Sequence, residues 1–380
     1  MKTDAEFDII VYGATGYTGR LVAEHLVGRG ADIRWAMAGR SAAKLAEVRD
    51  EIGAAVATPL IVADAADPAQ VRAMVRRAKA VITTVGPYQL YGSDLVAACA
   101  EVGTDYLDLS GEPTWMRQMI DAHEAAAKAS GARILFSCGF DSIPFELGVW
   151  FAQDAARKAW GAPAPYVKGR VRAIRGGLSG GTAASGKATM EAMGKDPTLF
   201  PLMMDPFALT PGFQGPEQPR GDKPGQDEDA GGPVGPFMMA IINTKNVHRS
   251  NALMGHAYGR DFAYDEMVMG GPEDAPAFTD LGGSGGPQPG EGPTKEEREA
   301  GFYDLLFIGV HPDGRRLPAS VKGDRDPGYG STSKMIAETA ICLIGAPDVA
   351  GGIWTPGAAL QGRLVDQLTR HAGLTFAVEG

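Results

Sequence analysis

The feature that most limits what this chain can become is the stretch VYGATGYTGRL, Val11 to Leu21. It follows the apolar run Phe7–Ile10 and leads directly into a helical pattern, with glycines at 13, 16 and 19. A strand that turns sharply into a helix needs residues without Cβ atoms at such spacing. Gly13 permits the tight turn, Gly16 lets a ligand approach the backbone, and Gly19 allows the helix to lie close to the strand. The helix start then presents free N–H groups and a partial positive charge, the pattern that holds a diphosphate. A glycine-rich turn without a ligand is the alternative. The strand–turn–helix placement favours a dinucleotide site.

The next 130 or so residues continue the rhythm. Strands are expected at 8–12, 34–38, 59–62, 80–84, 106–109 and 133–137, with helices at 18–29, 42–52, 68–77, 94–102 and 114–130. This βαβ alternation predicts a doubly wound parallel sheet with helices on both faces. The pattern changes near Asp141. A helix is expected over 145–160, strands at 163–173, 301–311 and 315–322, and helices at 333–344 and 358–371. Stretches 205–236 and 270–293 are dense in Pro and Gly and read as long loops. The division is therefore 1–145, 146–330 and 331–380, with the last helices packing back onto the first domain.

The bulk properties narrow the function. With 380 residues the chain is long enough for two domains. A net charge of −10 excludes a general nucleic-acid binder. Cys99, Cys138 and Cys342 are scattered, which offers no metal framework and suits a reducing cytoplasm. No apolar stretch reaches the roughly 18 residues of a membrane span. The expected place is the cytoplasm, free or against a membrane surface.

With Thr15, Tyr17 and Thr18, the glycines make up the diphosphate turn. The end of the second strand selects the dinucleotide. An NAD site places Asp or Glu there, whereas this chain has AGRSAAKL, with Arg40, Ser41 and Lys44. A guanidinium, a hydroxyl and an ammonium suit a 2′-phosphate, so NADP(H) is the expected cofactor. Asp64 is expected at the adenine edge, and Val85, Gly86, Pro87 and Tyr88 near the nicotinamide. The segment GTAASGKA, 181–188, imitates a phosphate-binding P-loop but ends in Ala188, where magnesium binding needs Ser or Thr. No metal is expected: no HExxH helix and no Ser–His–Asp set is apparent.

In order along the chain stand GATGYTGR, AGRS, VGPYQLYG, YLDLSGE, CGFDSIP and SGGT, then GYGSTSKMIAETA and TPGAAL. With these motifs the chain resembles the saccharopine dehydrogenase-like NADP-binding reductases, and within them the trans-acting enoyl reductases of actinobacterial lipid and polyketide synthesis. The resemblance implies a Rossmann domain, an α+β second domain and C-terminal helices returning to the first. It also implies NADP(H) and reduction of a C=C bond on an acyl or polyketide thioester, supplied by a carrier protein or synthase in trans. An amino-acid or imine dehydrogenase and a non-catalytic NADP-binding sensor or scaffold are the alternatives.

Enoyl reduction needs a proton at the α-carbon and donors to the carbonyl oxygen. Tyr88, with Tyr91 beside it, and Lys187 are the expected proton or oxyanion donors, and Asp141 the group that orients others or braces the domain junction. Thr182 is the expected N-cap of a helix running to Met193, after the Gly180–Gly181 pair. Nine of 15 methionines fall between 190 and 269. They fit an acyl channel and irregular core filling equally well. Lys168, Arg170 and Arg172 alternate along one strand face, either to meet a phosphate arm or as a wet sheet face. A homodimer through the second domain's sheet fits this layout.

Overall fold

In a computed structural model describing residues 5–30, 32–176, 180–270 and 291–380, without the side chains of 180–183, β1 (Phe7–Tyr12) is buried at every position. An uninterrupted apolar strand is what a parallel sheet covered on both faces requires. The chain continues through α1 (Tyr17–Gly28), β2 (Trp35–Gly39), α2 (Ala42–Glu51), β3 (Leu60–Val62) and α3 (Pro68–Val75). Then come β4 (Ala78–Thr83), α4 (Tyr88–Tyr91), α5 (Ser93–Val102), β5 (Asp105–Leu107), α6 (Pro113–Ser130) and β6 (Arg133–Leu135). Local chemistry sets several boundaries. Asp67 caps α3 by accepting from Ala69 and Gln70 N–H, and Gly103 and Gly131 end α5 and α6 in left-handed conformations.

The second half holds α7 (Ile143–Trp160), β7 (Tyr166–Arg175), α8 (Gly180–Lys195), α9 (Leu199–Met204), β8 (Gly225–Asp227), β9 (Gly232–Pro236) and α10 (Ala240–Leu253). It continues with β10 (Ala263–Met269), α11 (Lys295–Ala300), β11 (Phe302–Val310), β12 (Arg316–Gly323) and a π-helical turn at Pro327–Ser331. The chain ends with α12 (Thr332–Ile344), β13 (Gly352–Trp354), α13 (Pro356–Leu360), α14 (Gly362–His371) and β14 (Leu374–Val378).

Two seven-stranded sheets result. The first has the order β13-β6-β5-β4-β1-β2-β3 and is parallel throughout. Its order reverses between β1 and β4, which puts a crevice at the C-terminal ends of those strands. The second has the order β14-β12-β11-β7-β10-β9-β8, with only β7 and β10 parallel among its described strands. The α/β class and the α+β second half are as expected. The C-terminal stretch returns to the first sheet through α12, which packs on α1. His25 of α1 and Arg29, which caps its C-terminus, meet Glu338 of α12 at 2.6 and 3.0 Å.

Three sequence expectations need correction. The C-terminal stretch is not helices alone, because β13 joins the first sheet and β14 the second. The 205–236 stretch is not a plain loop, since its end forms the β8–β9 hairpin. The expected 358–371 helix breaks at Gln361, whose φ is +50°. Helix α10 escaped the sequence pattern entirely. Its Asn243, Lys245, Asn246, His248, Arg249, Ser250 and Asn251 are polar yet buried, so no apolar stripe marks it. Buried polar groups need partners, and α10 finds several in main-chain carbonyls of α9, β13 and the loop after α9. Lys245 donates to Met203 O at 2.8 Å, and Arg249 to Leu209 O and Ile353 O at 2.5 and 2.6 Å. The Thr182 cap and most of the 270–293 stretch lie outside the described residues.

Candidate functional site

The glycine turn is built as its spacing required. Gly13 has φ +89°, and a Cβ there would lie 2.8 Å from Thr84 Oγ1. A Cβ on Gly19 would lie 2.2 Å from Gly13 O, so helix and turn touch only because position 19 is bare. Gly16 is the N-cap of α1, and no side chain caps the helix. Thr15 and Gly16 are exposed, and Gly13 and Thr18 partly so. The first turn of α1 therefore offers its amides to an outside anion. Tyr17 differs. Its hydroxyl donates to Pro293 O and accepts from Arg298 Nη1, and its ring meets Tyr329 edge-on at 5.2 Å. Only the backbone of Tyr17 faces the turn; its side chain anchors the 293–298 segment.

At the ends of β2 and β3, Arg40 and Lys44 are exposed and make no ion pair among the described residues. Ser41 caps α2 by accepting from Lys44 N–H at 3.3 Å. Asp64 is half-buried and accepts from Ala66 N–H at 3.0 Å. Burial pushes the Tyr12 phenol up to about 12; Asp64 adds to this and Arg40 opposes it. Both charges therefore stand near Tyr12 beside the turn. Two open cations next to an uncapped helix start match a phosphorylated adenosine. The residues fit NADP(H).

The loop after β4 carries Val85, Gly86 and Pro87, partly or fully exposed. Tyr88 is a correction. Its ring is buried against Trp115, with centroids 5.9 Å apart. Its hydroxyl donates to Thr83 O at 3.3 Å and accepts from Leu109 N–H at 3.2 Å. Burial, with Asp108 nearby, pushes its pKa far above the usual phenol value. A hydroxyl tied to two backbone groups in the core does not reach a ligand. Tyr91 is the exposed tyrosine of this loop.

Glu112, unassigned by sequence reasoning, organises the same loop. Its buried carboxylate accepts from Tyr88 N–H at 3.0 Å, Gln89 N–H at 2.8 Å and Ser185 Oγ at 3.0 Å. Gln89 Nε2 donates to Thr189 Oγ1 at 3.2 Å. These bonds lay α8 across the loop. The available signal was the E of YLDLSGE, directly before the Pro that opens α6. Asp108, in the same motif, is buried and pushed up to about 6 by burial, against donors from Ser110, Tyr106 and Ser137.

Lys187 lies on α8 with its side chain 80% exposed and 3.9 Å from Glu191. It points to solvent rather than toward the loop. Asp141 sits in the loop after β6. Burial pushes its carboxyl up to about 7 despite a hydrogen bond with Asn243. The basic stripe is neutralised. Arg170 pairs with Asp227 at 2.8 Å and Asp265 at 3.0 Å, Lys168 with Asp227 and Asp229, and Arg172 with Asp304 and Glu379. It is a ladder of ion pairs, not an open anion surface. The methionines divide: Met190 and Met204 are exposed, whereas Met267 is buried and Met239 packs against the core. Among the described residues, no group of His, Cys, Asp and Glu is arranged to hold a metal.

Comparisons with known proteins point to one family. The family model described as saccharopine dehydrogenase NADP binding domain matches residues 9–135. A Mycobacterium tuberculosis protein provisionally named a trans-acting enoyl reductase is 39% identical, over 96% of each chain. A trans-acting enoyl reductase of Mycobacterium bovis is 37% identical, again over 96% of each. Among solved structures, an apo saccharopine dehydrogenase (L-Glu forming) from Saccharomyces cerevisiae is similar. Its TM-score is 0.51 at 10% identity, with 98% of this chain and 100% of that one covered. That likeness is one of fold.

Proposed function

The chain belongs to the trans-acting enoyl reductase family and is an NADP-dependent oxidoreductase; from this premise we propose that it reduces the C=C bond of a long acyl or polyketide thioester delivered in trans by a synthase or carrier. When bound, NADPH supplies the hydride. The chain's own residues do the rest. Gly13, Thr15, Gly16, Thr18 and Gly19 hold the diphosphate, with Tyr17 contributing its backbone. Arg40, Ser41 and Lys44 take the 2′-phosphate, Asp64 borders the adenosine, and Val85, Gly86 and Pro87 line the nicotinamide.

One observation carries the substrate class. Large apolar side chains stand in the open on α4, which follows the Gly86–Pro87 loop (Leu90 and Tyr91), on α8, which is bonded to α4 (Met190), and on α9, which packs on α8 and α6 (Phe200 and Met204). The Gln89–Thr189 and Glu112–Ser185 bonds join α4 to α8. Exposed apolar surface at a site mouth is costly unless something covers it, and an acyl chain entering beside the nicotinamide would. An amino-acid dehydrogenase needs free guanidiniums for carboxylates, yet buried Arg133, Arg170 and Arg249 are engaged by Asp105, by Asp227 and Asp265, and by backbone carbonyls. No described helix is long and apolar enough to cross a membrane. A peripheral position serving a lipid-making synthase fits the reading.

The test is NADPH oxidation with 2-enoyl thioesters of increasing chain length, carried on CoA and on a carrier protein. Turnover should rise with chain length. Tight NADPH binding with no turnover on any of them would overturn the proposal.

A further inference from the structure

Where the two sheets meet, half-buried Asp141, with its Oδ1 out of solvent, joins the buried side chains of Asn243 and Glu266 in a polar cluster. Asp141 follows β6 of the first sheet. Glu266 lies on β10 of the second, on the face turned toward Gly169 of β7. A Cβ at Gly169 would sit 2.7 Å from Tyr264 Oη and 3.1 Å from Glu266 Cγ, so the bare position makes the room. Glu266 is 1% exposed and Asn243 0%. Tyr264 Oη donates to Glu266 Oε1 at 2.8 Å, and Asn243 Nδ2 to Glu266 Oε2 at 2.9 Å.

The hydrogen bonding is incomplete in a specific way. Asp141 Oδ1 and Asn243 Oδ1 are both buried without a partner among the described residues. Both are acceptors, and Asn243 lies within hydrogen-bonding reach of Asp141. Unmet buried acceptors disfavour the arrangement that leaves them so. A proton on Asp141 would turn one of these unmet acceptors into a donor. The titratable and charged groups that bear on the cluster are Tyr264, Asp265 and the two carboxyls themselves; Asp265 is held by Arg170 on the opposite face of the sheet. Arg170 bears on Tyr264, but among the described residues no cation pairs with Asp141 or Glu266. Asp141 therefore keeps its proton up to about pH 7 and Glu266 up to about pH 8.

We propose that Asp141 and Glu266, bridged by Asn243, form a proton-holding pair at the junction of the sheets, and that Asp141 delivers its proton to the α-carbon in the reduction. Asp141 occupies the same C-terminal edge of the first sheet as the loops that line the nicotinamide, with Gly139 between Leu109 and Thr332. The chemistry balances. Hydride brings two electrons to the β-carbon, the double-bond pair moves to the α-carbon, and that carbon takes H⁺ from Asp141. The carboxylate left behind is reprotonated from water before the next turnover. Asn243 and Glu266 act as positioning residues. The delivery step rests on the function proposed above; the held proton does not.

Infrared spectroscopy of protein carrying 13C-labelled Asp and Glu carboxyls separates the two. The wild type should show protonated-carboxyl bands of Asp141 and Glu266, lost as pH passes about 7 and about 8, beside a Glu146 band that neither variant alters. Asp141→Asn should abolish one band and move the other to lower pH, because the Asp141 charge raises Glu266. Glu266→Gln should abolish the other. No protonated carboxyl at neutral pH, or bands unchanged in both variants, would overturn the pair. With a 2-enoyl thioester, Asp141→Asn should lower kcat about 100-fold or more while NADPH affinity stays within about twofold. Retained turnover would overturn delivery by Asp141. Bands as expected in a wild type that reduces no enoyl thioester would uphold the pair and overturn the enoyl assignment and delivery together.

Discussion

The hydroxyl of Ser185 donates to Oε1 of Glu112 at 3.0 Å, joining α8 to the loop that follows β5. The same carboxylate holds the first two amides of α4, so one buried group sets both floor and cover of the expected thioester site. Ser185→Ala removes only the cover's bond. KM for a long enoyl thioester should rise about 2–10-fold, the worth of one hydrogen bond, with NADPH affinity unchanged by titration. A parallel loss of NADPH affinity would show that α8 serves the cofactor instead.

Arg40 has no partner among the described residues, so its removal leaves no orphaned carboxylate behind. Arg40→Ala should weaken NADPH about 10–100-fold, the range of a lost charge-assisted contact, and NADH little. Calorimetry with both coenzymes checks this; equal losses would mean the 2′-phosphate lies elsewhere.

Gly19 has no space for a methyl group, since its Cβ would fall 2.2 Å from Gly13 O. Gly19→Ala should push α1 off the turn and lower both NADPH affinity and thermal stability, the latter by about 1–3 kcal/mol. Unaltered binding and melting would refute the close packing.

Tyr88→Phe removes a hydroxyl that bridges Leu109 N–H and Thr83 O. It should cost about 1–2 kcal/mol of stability and leave kcat within about twofold. Lys187→Ala, on the exposed face of α8, should change neither. A large kcat loss in either variant would return that residue to the chemistry.

Glu146 is buried, and burial pushes its carboxyl up to about 8 against donors from Gly357 N–H, Ser250 and Thr355. Between its ordinary value and about pH 8, the unfolded chain releases this proton while the folded protein keeps it. Stability must then fall as pH rises, by at most about 1.4 kcal/mol per pH unit from this group. Glu146→Gln should lack that component, so its melting temperature should gain on the wild type from pH 5 to 8. A constant difference across that range would show that Glu146 ionises normally.

The sequence alone determined the parallel sheet, the glycine turn and the preference for a phosphorylated coenzyme. These rest on signals a few residues apart: apolar runs, Gly at every third position, Arg40 and Lys44 just past a strand. What lay beyond it were features whose meaning depends on distant partners. Tyr88 sits in the loop where it was expected, but Trp115, Thr83 and Leu109 decide that its hydroxyl faces inward. Lys168, Arg170 and Arg172 share a strand face as the alternation requires, yet only the fold brings Asp227, Asp265, Asp304 and Glu379 against them. Helix α10 had no apolar face to read because its polar side chains satisfy buried carbonyls. Asp141 and Glu266 stand far apart along the chain, and nothing local marks them as neighbours. A strand or a turn is settled by its own residues; the charge a buried side chain carries is settled by whatever the rest of the chain places beside it.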